Sequence, residues 1–423
     1  MTTRPWATTA LDLCLQTALV VTVWFVVFLG SARYFDLVPT YVAGQMWLAG
    51  NWDGVYQPEI WLHGSAGDPG WRTEIARIGY PGMLNTYVYH PWYLLLTLPL
   101  AAALSLHGFT SVFVVLNAIA LAWIVSQSLR WGGVEDRRWH YAAVLLLCFS
   151  FPVVYGVQLG QNTLIALALV LLAVRVFEGG RPWVGGSLML LAMAAKPWFL
   201  LLLGILPFLG WLKRTFGMVA GYALVMVALP LLALPEALTR DYQAMLARLP
   251  VQSILAHNNV SLRAVIHRLG KDDWPNHLLS WVPIPVAPTN RSVELAILVV
   301  LGAAAAYLLY RCRGERRVLY SGMVLALLPV GVLWNHYIVM GIPLLIAGLL
   351  EAEKKSSVWL LWIAALVAFA VSPTGLALRL AGRQWLGLLQ LWIELPLLLL
   401  VVFACASLIV PRRAAPQAGE VAE

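Results

Sequence analysis

Charge is scarce in this chain. Only 11% of its 423 residues are Asp, Glu, Lys or Arg, against 61% hydrophobic, and the mean hydropathy is +0.78. So little charge over repeated apolar runs excludes a water-soluble globular domain and points to a polytopic α-helical membrane protein. Cysteine is scarce too. Cys14, Cys148, Cys312 and Cys405 fall inside apolar runs without metal-ligand spacing. They read as small core residues, so no disulfide framework and no metal site is expected. No Walker A loop, Rossmann glycine fingerprint or zinc pattern occurs, and nothing suggests a nucleotide or nucleotide-sugar site on the cytoplasmic side. The first apolar run lacks a small-residue cleavage site and is expected to remain as a helix. A net charge of +8 carries no nucleic-acid signal here. The basic residues sit in short clusters between apolar runs, as the positive-inside rule requires.

The clusters also set the topology. A first span is expected over 11–30. Residues 31–108 are too polar to be membrane as a whole. Within them, 92–106 is apolar but short and is interrupted by Pro91 and Pro99, so a re-entrant or surface helix is expected there. If it does not span, 109–129 is the second span, and Arg130, Arg137 and Arg138 join Arg4 on one side. Later spans are expected over 141–155, 162–177, 183–195, 198–212, 216–234, 292–310, 318–334, 337–350, 358–371 and 385–410. Counted alternately, Arg181, Lys213, Arg214, Arg311, Arg313, Arg316, Arg317, Lys354, Lys355, Arg412 and Arg413 all land on that same side. Were 92–106 a span, nearly every later cluster would face outward. The expected fold is therefore one all-α domain over 1–423 with about twelve transmembrane helices and both termini cytoplasmic. Two large periplasmic loops complete it, 31–108 with surface helices and 235–291.

That topology collects polar residues on the outer side. After the first span come Arg33 and Asp36, then an amphipathic segment expected to lie on the membrane. Its Tyr41, Met46 and Trp47 would face lipid, with Thr40, Gln45 and Asn51 toward water. A carboxylate at this depth is costly. Asp36 either caps the adjacent helix or acts as a general base. Lys196 is the one basic residue in the short outer turns, inside an apolar stretch. It either snorkels from a helix end or meets a phosphate as a point charge. His336 is either an interfacial histidine between Trp334 and Tyr337 or a site residue. Gln161 and Asn162 close a turn or cap the next helix. Asn259, Ser261 and Arg263 pack an outer-loop helix or join the site.

Several ordered segments resemble glycosyltransferase family 87, the polytopic polyprenyl-phosphate-sugar-dependent transferases. They are Asp36-Leu37 with Tyr41, Leu48-Ala49-Gly50 with Val55-Tyr56, Tyr89-His90-Pro91, and Gly160-Gln161-Asn162-Thr163-Leu164. Gly179-Gly180-Arg181-Pro182-Trp183 with Ala195-Lys196-Pro197, Asn259-Val260-Ser261-Leu262-Arg263 and Trp334-Asn335-His336-Tyr337 follow in order. His90 stands where the family usually has proline, and a single histidine stands at 336 where many relatives have two. The resemblance implies the C-type glycosyltransferase fold, with Asp36 as catalytic base and Lys196 and His336 lining the donor phosphate site. Gln161, Asn162, Asn259, Arg263, Tyr41 and His90 join the donor-binding set. It implies an inverting transfer of mannose or a similar sugar from a polyprenyl phosphate to a glycan or glycolipid on the outer face of the plasma membrane. Asp36 and Asp53 form no poised carboxylate pair, so no metal and no cofactor is expected. A lipid-linked sugar flippase or transporter would instead need polar residues at the midplane and repeated halves, and the chain has no internal repeat. An inactive membrane scaffold of the same fold is the third reading.

Overall fold

A computed structural model describes residues 6–28, 30, 32, 34–56, 69–80, 85–269, 277, 282–348, 350, 356–370 and 386–409. Arg4, Arg33, His63, Asp68, Lys354, Lys355, Arg412 and Arg413 lie outside the described residues. Helix α1 (Trp6–Val27) is followed by α2 (Val38–Leu48), α3 (Pro69–Arg77), α4 (Pro91–Ala103) and α5 (Leu106–Trp131). At 26 residues α5 is the longest helix described, ~39 Å at 1.5 Å per residue. α1 lies along it, joined by a buried hydrogen bond from Ser126 to Gln16 at 2.9 Å.

The amphipathic expectation for α2 fails. Thr40 is fully buried, with Tyr41, Val42 and Ala43, and α2 packs on α3, α4 and α5 rather than on a membrane surface. Gly44 lets α4 come close, since a Cβ there would sit 2.8 Å from Ala101 Cβ. Gln45 Nε2 then donates to Ala101 O at 2.6 Å, and Tyr41 Oη to Leu104 O at 3.1 Å. Polar side chains on α2 serve the backbone of α4, which pattern alone does not distinguish from facing water.

The expected span 141–155 is broken. α6 (Arg137–Cys148) and α7 (Phe151–Leu159) meet at 61°, with Pro152 in the first turn of α7. Trp24 fills the bend, its indole N–H on Cys148 O at 3.0 Å. α8 (Thr163–Glu178) and α9 (Pro182–Ala195) then form a tight hairpin against α5. The expected helix over 198–212 is two stretches of 3-10 turn, Pro197–Gly204 and Leu206–Leu209, each started by a proline that cannot continue a ladder. α10 (Leu212–Tyr222), a π stretch (Ala223–Ala228) and α11 (Leu229–Ala233) make one rod. α12 (Glu236–Arg248), an antiparallel pairing of the two-residue strands β1 (Gln252–Ser253) and β2 (Ile284–Pro285), and α13 (Leu262–Leu269) form the second loop region. α14 (Pro288–Arg311) and α15 (Arg317–Leu325) follow. Where 337–350 was expected to span, the chain is a 3-10 segment over Asn335–Gly341 and a π turn over Leu344–Gly348, on either side of Pro343. α16 (Ser356–Ala370) and α17 (Leu386–Ile409) close the described chain.

Among the described residues four helices are long and apolar enough to cross a bilayer, and the bent α6–α7 pair makes a fifth. Of the other expected spans, 162–177, 183–195 and 358–371 fall on shorter helices, 198–212, 318–334 and 337–350 are broken, and 385–410 falls on α17, a helix of 24 residues. All four cysteines are free thiols.

The ends of the hairpin define two poles. At the C-terminal end of α8, Glu178 takes Arg316 at 3.2 Å, and Arg316 lies over the Trp131 ring at the end of α5. The polar turn Gly160–Asn162 starts α8 at the opposite end, and the 16 residues between put ~24 Å of helix between the poles.

Candidate functional site

The chain entering α2 is docked on the end of α7. Tyr34 N donates to Gln158 O and Asp36 N to Leu159 O, both at 2.9 Å. Gly160 makes the docking possible. Its φ is +77°, and a Cβ would stand 2.4 Å from Leu37 Cβ. Tyr34, at φ +49°, is the non-glycine residue held in the left-handed region among those described. A bulky residue there is strained, and such strain gathers where a backbone must be aimed.

Asp36 does not cap α2. Leu37 is the N-cap residue and no side chain caps it. The carboxylate instead takes an amide on each oxygen: Asn85 Nδ2 to Oδ1 at 2.5 Å and Gln161 Nε2 to Oδ2 at 2.5 Å. The other end of Gln161 accepts from Lys196 Nζ at 2.6 Å. Lys196 follows α9 directly and is 3% exposed. Its ammonium lies 4.9 Å over the Tyr89 ring and 4.8 Å over the Tyr337 ring, with a 3.4 Å hydrogen bond to Tyr337 Oη. Cation–π contact of this kind contributes more when the cation is desolvated. Base candidate and cation candidate are thus joined through one amide, without a direct salt bridge.

Burial raises the Asp36 carboxyl above its ordinary value, against the hydrogen bonds from Gln161 and Asn85 and the charge of Lys196. Burial also pulls the Lys196 ammonium down to about 7, with Asp36 opposing. Burial and the nearby Lys196 charge hold His336 well below its ordinary value, so it is neutral. Both His336 ring nitrogens are buried without a hydrogen-bond partner in the described structure. The ring stands edge-on to Tyr337 at 4.6 Å and faces a cavity of about 10 Å³, room for one water-sized group, shared with Asn117, Gly156, Gln161, Thr163 and Val339.

Asn162 stands at the N-cap of α8, but its side chain makes no capping hydrogen bond. Its Nδ2 reaches Ala195 O at 3.3 Å and so ties the start of α8 to the residue before Lys196. Four other expected donor-site residues are used elsewhere. Tyr41 is spent on α4. His90 is the N-cap of α4: Nδ1 accepts from Trp92 N at 3.2 Å, which leaves Nε2 to donate to Met226 O at 2.8 Å. Arg263 pairs with Glu294 of α14 at 3.0 Å. Asn259 spends its amide on backbone: Nδ2 on Ile254 O at 2.8 Å, and Oδ1 accepting from Leu333 N at 2.9 Å and Ser261 N at 3.2 Å.

Asn259 belongs to a frame behind the site. Val260 N donates to Leu333 O at 2.7 Å and Asn335 N to Asn258 O at 2.9 Å, so residues 258–260 fix the backbone next to His336. Arg268 fixes 255–259 in turn. It is fully buried and donates to Leu255 O, Ala256 O and Asn259 O, and it pairs with Glu394 of α17.

Asn85, Tyr89 and Tyr337 stand at the site but outside the expected set of site residues. Tyr89 and Tyr337 stand within motifs already noted, beside His90 and His336. Asn85 carries no periodic or motif signal. Among the described residues no three His, Cys, Asp or Glu side chains converge.

The model of Glycosyltransferase family 87 matches residues 87–334. That stretch holds Tyr89, Gln161 and Lys196, while Asp36 and His336 flank it. No curated protein matches the chain.

Proposed function

The chain belongs to glycosyltransferase family 87, and we infer that it moves a sugar from a polyprenyl phosphate to a glycan or glycolipid on the outer face of the plasma membrane. The observation that carries this reading is the series Asp36–Gln161–Lys196, a carboxylate and an ammonium held apart by one side-chain amide. The acceptor hydroxyl attacks the anomeric carbon as the bond to the phosphate oxygen breaks. Its proton goes to Asp36, and the electron pair leaves with the phosphate. Lys196 meets the charge growing there, which is stabilisation aimed at the place where charge develops. Neutral His336 offers a ring N–H to the same phosphate. Attack opposite the leaving group inverts the anomeric centre. Mannose or another hexose or pentose fits the reading equally.

The two poles of the fold support the orientation. Arg316 and its neighbours crowd one end of α8, and Asp36, Gln161 and Lys196 the other. With basic residues cytoplasmic, the site faces outward and both termini face in. In a cysteine-free background, a cysteine at exposed Arg72 is expected to react with a membrane-impermeant thiol reagent on intact cells. One at exposed Glu135 should react only after permeabilisation. The reverse pattern would invert the topology.

The function itself is tested by transfer of labelled sugar from polyprenyl phosphate by purified protein in nanodiscs. Lys196→Ala is expected to weaken donor binding about 10–100-fold, the loss of a charge-assisted hydrogen bond. Lys196→Arg keeps charge with altered geometry and should retain part of it. A pH series adds a sign. Donor affinity should be level below pH 7 and fall above it, levelling near that of Lys196→Ala, as the ammonium is lost from a group held near 7. The Arg variant should lack that slope. If Lys196→Ala binds donor as wild type does, Lys196 is only a structural partner of Gln161.

A further inference from the structure

We propose that Gln161 couples the donor phosphate to the base, so that Asp36 reaches full proton affinity only when a phosphate holds Lys196. The proposal rests on the roles of Asp36 and Lys196 given above.

A side-chain amide has one donating and one accepting end. A carboxylate only accepts and an ammonium only donates. With Asp36 on one side and Lys196 on the other, Gln161 has one possible orientation, Nε2 to Asp36 Oδ2 at 2.5 Å and Oε1 to Lys196 Nζ at 2.6 Å. Its backbone is fixed as well. Gln161 N donates to Gly156 O at 2.8 Å, and Gln161 O accepts from Asn117 Nδ2 at 3.0 Å. The amide therefore cannot turn to satisfy one partner without failing the other.

Hydrogen bonds in series polarise one another, by roughly 10–30% per bond. An ammonium on the amide oxygen strengthens the N–H bond to Asp36 and stabilises the carboxylate. Among the described residues, the groups facing Asp36 besides Asn85 and Gln161 are Lys196, Tyr89, Tyr155 and Tyr337. The tyrosines are neutral across the working pH range, so Lys196 is the cation that acts on Asp36. A phosphate that takes Lys196 removes the polarisation and adds negative charge nearby. Both changes raise the proton affinity of Asp36. The free enzyme then holds a weak base, and the donor complex a stronger one at the moment an acceptor must be deprotonated.

The experiment is the pH profile of transfer by the full chain in nanodiscs, with a polyprenyl-phosphate sugar as the varied substrate. The acid limb of kcat/KM reports the free enzyme and that of kcat the complex. The kcat limb is expected at higher pH, by about one unit. Gln161→Met keeps the length and removes both amide ends. It should move the kcat/KM limb upward and shrink the separation, whereas loss of packing alone lowers the rate at every pH. Coincident limbs in the wild type, limbs absent above about pH 4, or a Gln161→Met profile that is lower but unmoved would overturn the coupling. The wild-type comparison needs no variant to fold. Full activity in Asp36→Asn is a separate result, and it would sink the base assignment itself.

Discussion

Asp36→Asn is expected to lower transfer by about 10²–10⁴-fold while donor binding persists, the usual contribution of general-base assistance. The structure refines why this substitution is informative. Asp36 caps no helix, so capping is not at stake. Its two oxygens accept from Asn85 and from Gln161. Asparagine offers one oxygen and one NH₂, so one of those amides meets a donor. Gln161 cannot turn to help, because Lys196 holds its oxygen. That loss costs about 1 kcal/mol, small beside the expected barrier change of about 3–5 kcal/mol. Thermal unfolding in detergent should therefore move little while transfer collapses. A variant that keeps more than about a tenth of the wild-type rate means Asp36 is not the base.

Arg268→Ala should give the largest loss of stability, about 3–5 kcal/mol, the range for removing one partner of a buried ion pair. The variant strands Glu394 and removes the guanidinium donor from the carbonyls of Leu255, Ala256 and Asn259, of which Ala256 O still accepts from Asn259 N. Glu394→Gln keeps an acceptor and should cost roughly half as much. Unfolding midpoints of the three proteins in one detergent make the comparison. An Arg268→Ala midpoint that matches the wild type would show that 255–259 is held by other contacts.

What the sequence made legible follows from the kind of signal it carries. Composition fixes the helical membrane class, and the clustering of arginines separates two poles that the structure keeps apart along α8. Lys196 stands out in sequence because an ammonium between apolar runs is costly, and it does meet Gln161 beside Asp36. Hydropathy reports how apolar a segment is and not which ladder its backbone makes. Residues 198–212 and 337–350 are therefore expected as ordinary helices, although Pro197, Pro207 and Pro343 stand at the 3-10 and π turns found there. Tyr41, His90, Asn259 and Arg263 show the other limit. Each has the chemistry of a ligand-binding side chain, and each is occupied by Leu104, Met226, Leu333 or Glu294, partners distant in sequence. Asn85 is the converse, an unremarked loop residue brought to Asp36 by the approach to α4.

The enclosure of Lys196 has a consequence for ion selectivity. Its ammonium is walled by the rings of Tyr89 and Tyr337. A free hydrated anion, inorganic phosphate or sulfate, must shed its water shell to reach it, and burying an ion without full compensation is costly. The proposed donor carries its phosphate on a polyprenyl chain held in the bilayer, where each buried CH₂ contributes about 0.8 kcal/mol, so it is concentrated at the membrane rather than drawn from dilute solution. On that proposal the same pair of tyrosines that holds the lysine works against free hydrated anions. On the proposed reading, soluble phosphate is expected to compete poorly with a lipid-carried phosphate for Lys196.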